Sequence, residues 1–197
     1  MSVGQKNATY NETPLISIVM GYFNRKPQLE VTLNMIQLSK VAKHVEIIIV
    51  DDASSKEHIL TKPFLETFDL NIKVIRIEPH QKTWINPVIP YNLSITQTKG
   101  EWVMLQNPEV CHSGDVCSYV ATADKTLYHV LSVFSLPEEI PNDIILSYCE
   151  KKQPSKLVEM SKKYILKSQN TLLFLCGMMV KKILDFCIFV LQYIGLC

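Results

Sequence analysis

Apolar positions in the first 105 residues alternate between two rhythms. Short runs rich in Ile and Val occur at Leu15–Gly21 (LISIVMG), Val45–Val50 (VEIIIV), Asn71–Ile77 (NIKVIRI) and Glu101–Leu105 (EWVML), and each reads as a strand. The first two are almost unbroken, as expected for parallel strands covered on both faces. Between them the spacing turns helical. Pro27 suits a first helical position, and Leu29, Leu33, Ile36 and Val41, with Met35, predict an apolar face to about residue 42. Ser54 and Glu57 have the spacing of a capping box, predicting a helix to about Phe68 that Pro63 must kink or split. A third helix is predicted over Pro90–Thr98, stopped by Lys99-Gly100. The order βαβαβαβ with right-handed crossovers predicts an α/β fold with a doubly wound, mostly parallel sheet.

After Gly114 the pattern blurs. Asp115–Ala123 suits a helix, Tyr128–Phe134 a strand, Pro137–Pro141 a turn and Ile144–Lys151 a helix. From Pro154 to the end the chain reads as helix with an increasingly apolar second half. The expected organisation is a flexible N-terminus over 1–14, an α/β domain over 15–150 and a helical apolar segment over 151–197. Leu172–Val180 and Ile183–Cys197 are strongly apolar, but Lys181, Lys182 and Asp185 interrupt them. Charges at the centre of a membrane helix cost roughly 2.5–3.5 kcal/mol each, so a docked or surface-lying helix is favoured over a span. The polar start MSVGQKNATYNETP has no apolar signal core. The expected location is the cytoplasm, with a membrane or protein contact through 172–197.

Composition narrows the function classes. Twenty basic against 19 acidic residues leave a net charge of +1, which argues against a broad nucleic-acid surface. The cysteines (Cys111, Cys117, Cys149, Cys176, Cys187 and Cys197) form no C-x-x-C, so reduced thiols are expected.

Candidate chemistry gathers at the strands' carboxyl ends, where open α/β sheets bind ligands. The first strand delivers Tyr22, Asn24 and Arg25, the second Asp51 and Asp52, and the fourth Gln106, Asn107 and Glu109. A carboxylate accepts a hydrogen bond from a nucleobase imide or a ribose hydroxyl, and an arginine clamps a phosphate. A carboxylate or imidazole near a diphosphate can hold Mg²⁺ or Mn²⁺. Neither G-x-G-x-x-G nor G-x-x-x-x-G-K-[ST] is present, which disfavours an NAD enzyme or a P-loop ATPase.

The ordered run ISIVMGYFNRKPQLEVTLNMI, EIIIVDDASS and KTWINPVIPYNLSITQTKGEWVMLQNPEVCHSGDV, over about residues 15–120, resembles the N-terminal half of a family 2-like GT-A glycosyltransferase. It is most similar to the branch carrying Q-N-P-E after the fourth strand. The resemblance implies a Rossmann-like GT-A half that binds a nucleotide sugar, expected to be a UDP-sugar. It implies that Tyr22, Asn24 and Arg25 approach the nucleoside and that Asp51 and Asp52 hold uracil and ribose. It implies that the segment from Lys82 through Asn86 to Asn92 closes over the nucleotide. Gln106 to Glu109 falls where most members carry Asp-x-Asp for metal and diphosphate; here Gln106 and Pro108 stand at the aspartate positions. Glu109 is left as the carboxylate for Mg²⁺ or Mn²⁺, with His112 as the candidate second ligand.

Structural roles compete at each position. An acid at the end of the second strand can cap the next helix, Glu109 can start one, Arg25 can pair on the surface, and His112 and Trp84 can be packing residues. The resemblance also stops short of the half that would bind the acceptor and supply a base. Glu138, Glu139 and Asp143 are the acids nearest in sequence, in a proline-flanked turn. Two functions therefore stand: a glycosyltransferase with an unknown glycan, lipid or protein acceptor, and a truncated donor-binding scaffold of weak or no activity.

Overall fold

A computed structural model describes residues 3–5, 14–110, 112, 114–131 and 178–180, with positions 140, 141, 143–145, 147 and 159 between them. In chain order the strands are β1 (Val3–Gln5), β2 (Ile16–Tyr22), β3 (Val45–Asp52), β4 (Asn71–Ile77), β5 (Trp102–Leu105), β6 (His129–Val130) and β7 (Met178–Val180). The helices are α1 (Lys26–Gln37), α2 (Lys62–Leu65), α3 (Val88–Ile95) and α4 (Val116–Thr122). The described strands form one sheet in the order β1-β4-β3-β2-β5-β7-β6. The run β4-β3-β2-β5 is parallel, while β1 and β7 pair antiparallel with β4 and β5.

The apolar runs explain this placement. Every residue of β3 is buried, as a central strand with both faces covered requires. On one face, Leu29, Leu33 and Ile36 of α1 and Cys117 and Val120 of α4 join Ile18, Ile47, Ile49 and Met104 in the main core, with Phe64 and Leu65 of α2 against its margin. On the other, Ile95 and Tyr91 of α3 cover Val19, Ile48 and Val103. Two helices thus follow β2 and β3 on one face, while α3 carries the chain over the opposite face to β5. The strand order reverses between β2 and β5, the kind of switch point at whose carboxyl ends open α/β sheets bind ligands.

Several predicted elements differ. The helix expected from Ser54 to Phe68 is a 3₁₀ turn at Lys56–His58 and the short α2, with Pro63 in its first turn. Ser54 forms no capping box there, because its backbone N–H and hydroxyl serve Asp51 and Asn24. Helix α1 ends at Gln37 rather than near residue 42, and a separate 3₁₀ turn spans Ala42–His44. Val3–Gln5, expected to be part of a flexible terminus, zips onto β4. The helix expected through residues 151–197 is corrected at Met178–Val180, where the backbone is strand and pairs with both β5 and β6. Apart from Glu159, which is helical, the rest of that segment lies outside the described residues, as do Phe134, Pro137, Glu138 and Glu139. Among the described residues, no helix is long and apolar enough to cross a membrane.

Candidate functional site

Strand register builds the first half of the site. Tyr22, Asp51 and Arg76 sit side by side on β2, β3 and β4. Asp51 is fully buried; its Oδ1 accepts the Ser54 N–H at 2.9 Å and its Oδ2 accepts Arg76 Nη1 at 2.5 Å. Arg76 Nη2 also donates to the Ser54 carbonyl at 3.0 Å, closing the turn in which Ala53 takes a positive φ of 66°. Asp51 is therefore committed to the fold on both oxygens. Tyr22 is equally buried and donates its hydroxyl to the His58 carbonyl at 2.7 Å. Burial, and secondly the charge of Asp51, push the phenol above its ordinary pKa, so it stays a donor.

Asn24 ties the exit of β2 to that of β3. Its own φ is 51°, its Oδ1 accepts the Ser55 N–H at 2.9 Å, and its N–H donates to Ser54 Oγ at 3.1 Å. Asn tolerates this left-handed backbone because its short polar side chain bonds locally. Arg25, next along at the start of α1, is exposed, and its guanidinium is unpaired among the described residues.

Asp52 faces a different environment. Lys82 Nζ lies 2.8 Å from its Oδ2, and Trp84 Nε1 donates to its Oδ1 at 3.1 Å. The same ammonium sits 4.6 Å from the centre of the Phe23 ring, a cation–π contact across the exits of β2 and β3. Trp84 also packs against Val50, Ile75 and Ile77, which anchors the loop after β4. Asn86 and Asn92 remain exposed; Asn86 Oδ1 accepts the Val88 N–H at 3.0 Å as α3 begins, and Asn92 lies within α3. The structure does not join these two amides to the Asp52 group.

A second group forms at the end of β5. Gln106 is buried, donating Nε2 to the Val110 carbonyl at 2.7 Å while its Oε1 meets His112 Nε2 at 2.8 Å. Burial lowers the His112 pKa to about 4, with Asp115 pulling weakly the other way, so the imidazole is neutral. A neutral ring facing a carbonyl oxygen carries its proton on Nε2, so that nitrogen donates to Gln106. Asn107 Oδ1 accepts the Tyr91 hydroxyl at 2.7 Å, and Thr32 of α1 donates to the Pro108 carbonyl at 2.8 Å. Glu109 is exposed and has no partner among the described residues. Also among the described residues, no three His, Cys, Asp or Glu side chains converge to hold a metal ion.

Arg76 and Tyr91 are not marked as site residues by the sequence, and Ser54 is marked only as a helix cap. Arg76 carries a signal, a cation one residue before the end of the alternating run NIKVIRI, but its meaning depends on the register that sets it beside Asp51. Trp84 was read as packing; it packs and also holds Asp52. Cys117 is buried and its thiol pushed up to about 12 by burial and then by Asp115, consistent with an inert thiol.

No family model and no curated protein matches the chain. Solved structures do. A mannosyltransferase from Pyrobaculum calidifontis, PcManGT, solved with GDP-Man and Mn²⁺, superposes with a TM-score of 0.57 at 16% identity, over 91% of this chain and 48% of that one. Residues 1–349 of S. aureus TarS match at a TM-score of 0.41 and 24% identity, over 48% of this chain and 27% of that one. The galactosyltransferase LgtC, solved with donor and acceptor sugar analogues, matches at 0.45 and 12%, over 92% of this chain and 66% of that one. The chain thus spans about half of the mannosyltransferase and about a quarter of the TarS fragment. The fold is mixed α/β with a parallel four-strand sheet, like that of GT-A Rossmann-like glycosyltransferases.

Proposed function

We propose that this chain is the donor-binding half of a family 2-like glycosyltransferase, taking a nucleotide sugar, preferably a UDP-sugar, and passing the sugar to a glycan, lipid or protein acceptor. One observation carries the reading: Asn24 and Arg25 follow β2, Asp52 ends β3, and Gln106 and Asn107 follow β5, all at the carboxyl edge around the β2/β5 switch point of a sheet like that of a mannosyltransferase solved with GDP-Man. The ordered motifs over about residues 15–120 support it.

The geometry divides the roles. Tyr22 and Asp51 hold the strand ends rigid, since their polar atoms are committed to His58, Ser54 and Arg76. Asp52 is the carboxylate for a base imide or ribose hydroxyl, because its Oδ2 is met by the partly exposed ammonium of Lys82 rather than by the main chain. Arg25 and Lys82 supply positive charge, and Gln106 and Asn107 shape the floor beside the sugar. Asn86 and Asn92 lie on the segment that closes over the donor. The location proposed is the cytoplasm, with residues 172–197 as a membrane or protein contact.

Mg²⁺ or Mn²⁺, expected at Glu109 and His112, fits this donor set poorly. Glu109 is the available carboxylate, while His112 is buried and spends Nε2 on Gln106. Two amides and a proline fill the rest of the turn, leaving one carboxylate where a hard divalent cation takes several oxygen ligands.

A second reading, a donor-binding scaffold, is favoured by the turn after β5, where Gln106 and Pro108 stand at the aspartate positions of the resembled family. Calorimetric titration with UDP and GDP, each with and without Mn²⁺, tests the common core of both. Saturable heat, larger for UDP and about tenfold weaker in Asp52→Ala, is expected. Silence under every condition removes both readings. Turnover of a UDP-sugar then separates enzyme from scaffold.

A further inference from the structure

The loop after β4 presents a second cation, Lys82, at the carboxyl edge of the sheet. The Asp51–Arg76 pair is sealed: Arg76 is also held by the Ser54 carbonyl and by Glu78. Lys82 is held more loosely. Its side chain is 23% exposed, its contacts are the carboxylate and carbonyl of Asp52 and the face of Phe23, and it sits on a long flexible stem. Phe23 lies on the exit of β2, two residues before the unpaired Arg25. The ammonium therefore already touches both Asp52 and the face of Phe23, the residue that leads the chain toward Arg25. Meanwhile the turn after β5 offers a divalent cation little besides Glu109.

Resting on the donor-site reading above, we propose that Lys82 is an exchangeable counter-ion. Here it neutralises Asp52. When a nucleoside diphosphate binds, the ammonium crosses the face of Phe23 to the diphosphate. That releases Asp52 Oδ2 for the nucleoside, and Lys82 with Arg25 meets the phosphate charge in place of a metal ion. One side chain thereby couples the two ends of the ligand: the nucleoside gains its acceptor only when the phosphates take the cation. No bond to the sugar is made or broken in this step.

The test is calorimetry on the full chain with UDP and with uridine, in EDTA and in Mn²⁺. Wild type is expected to bind UDP in EDTA. Lys82→Met should weaken UDP about tenfold or more while leaving uridine unchanged or tighter, since Asp52 is then free. Lys82→Arg should keep most UDP affinity, and thermal melts should show all variants folded. The proposal is overturned if UDP needs Mn²⁺ and ignores Lys82→Met. It is equally overturned if that variant weakens UDP and uridine alike, as a merely structural lysine would. Failure of wild type to bind any nucleotide, with or without Mn²⁺, would instead remove the donor-site reading beneath it.

Discussion

The two ends of the parallel sheet both bury carboxylates, and they do so by opposite means. At the amino end, Glu46 accepts the Ser17 hydroxyl at 2.5 Å and the Lys99 N–H at 2.6 Å, while Gly100 N–H donates to the same Ser17 oxygen at 2.8 Å. Those donors are neutral, short or part of the main chain, so none can leave without unfolding the turn. At the carboxyl end, Asp51 and Asp52 meet cations instead. Of these, Arg76 is locked and Lys82 is not. The amino end is a fastening; the carboxyl end keeps one partner that can be traded. That difference sets the carboxyl edge apart without reference to any resemblance.

The comparison is broken most severely by Asp51→Ala. It leaves Arg76 half of a nearly buried pair and should cost about 3–5 kcal/mol in urea unfolding, with part recovered in the Asp51→Ala/Arg76→Met double variant. A loss under 1 kcal/mol would mean Asp51 is not structural. At the opposite end, Gly100→Ala would place a Cβ 2.6 Å from the Ser17 backbone N and 2.8 Å from the Ile16 carbonyl carbon. Backbone cannot yield as a side-chain tip can, so a loss of about 1–3 kcal/mol is expected, with nucleotide binding unchanged in the folded fraction.

The smallest effect should come from Asp115, which repeats the neutral-donor design of Glu46 on the surface. Burial tends to raise its pKa, but hydrogen bonds from Ser39 and Ser118 and the backbone N–H groups of Lys40 and Ser118 hold it down to about 2. A folded pKa below the unfolded value stabilises the protein above about pH 4, and the gain fades as pH falls toward 2. Because the group is exposed, Asp115→Asn should cost about 1 kcal/mol or less at neutral pH and flatten the acid limb of the stability curve. An unchanged limb would show that these bonds do not matter in solution.

Periodicity made the sheet legible where strands are buried on both faces. β4 falls at the expected Asn71–Ile77, and β3 only lengthens to include Asp51 and Asp52. Both acids were legible as site candidates because carboxylates at a buried strand's end stand out. Their partners were not, because Arg76, Lys82 and Trp84 are distant in sequence and join them only through register and loop closure. The split of the Ser54–Phe68 stretch followed from Pro63, but the competition between a capping box and the Asp51 turn for Ser54 did not. Met178–Val180 was misread because a short apolar run inside a longer apolar stretch has no period to distinguish strand from helix.

The position of β7 governs the order in which the sheet can be completed on the ribosome. β6 pairs with β7 and not with β5, although it is made about fifty residues earlier. Among the described residues, the outer side of β5 and the inner side of β6 both find their partner in Met178–Val180, so each waits for it to emerge. A nascent chain stalled before that point would present the finished parallel strands beside an adhesive edge. A late-made tripeptide thus acts as the sheet's built-in protection against pairing with a neighbouring copy.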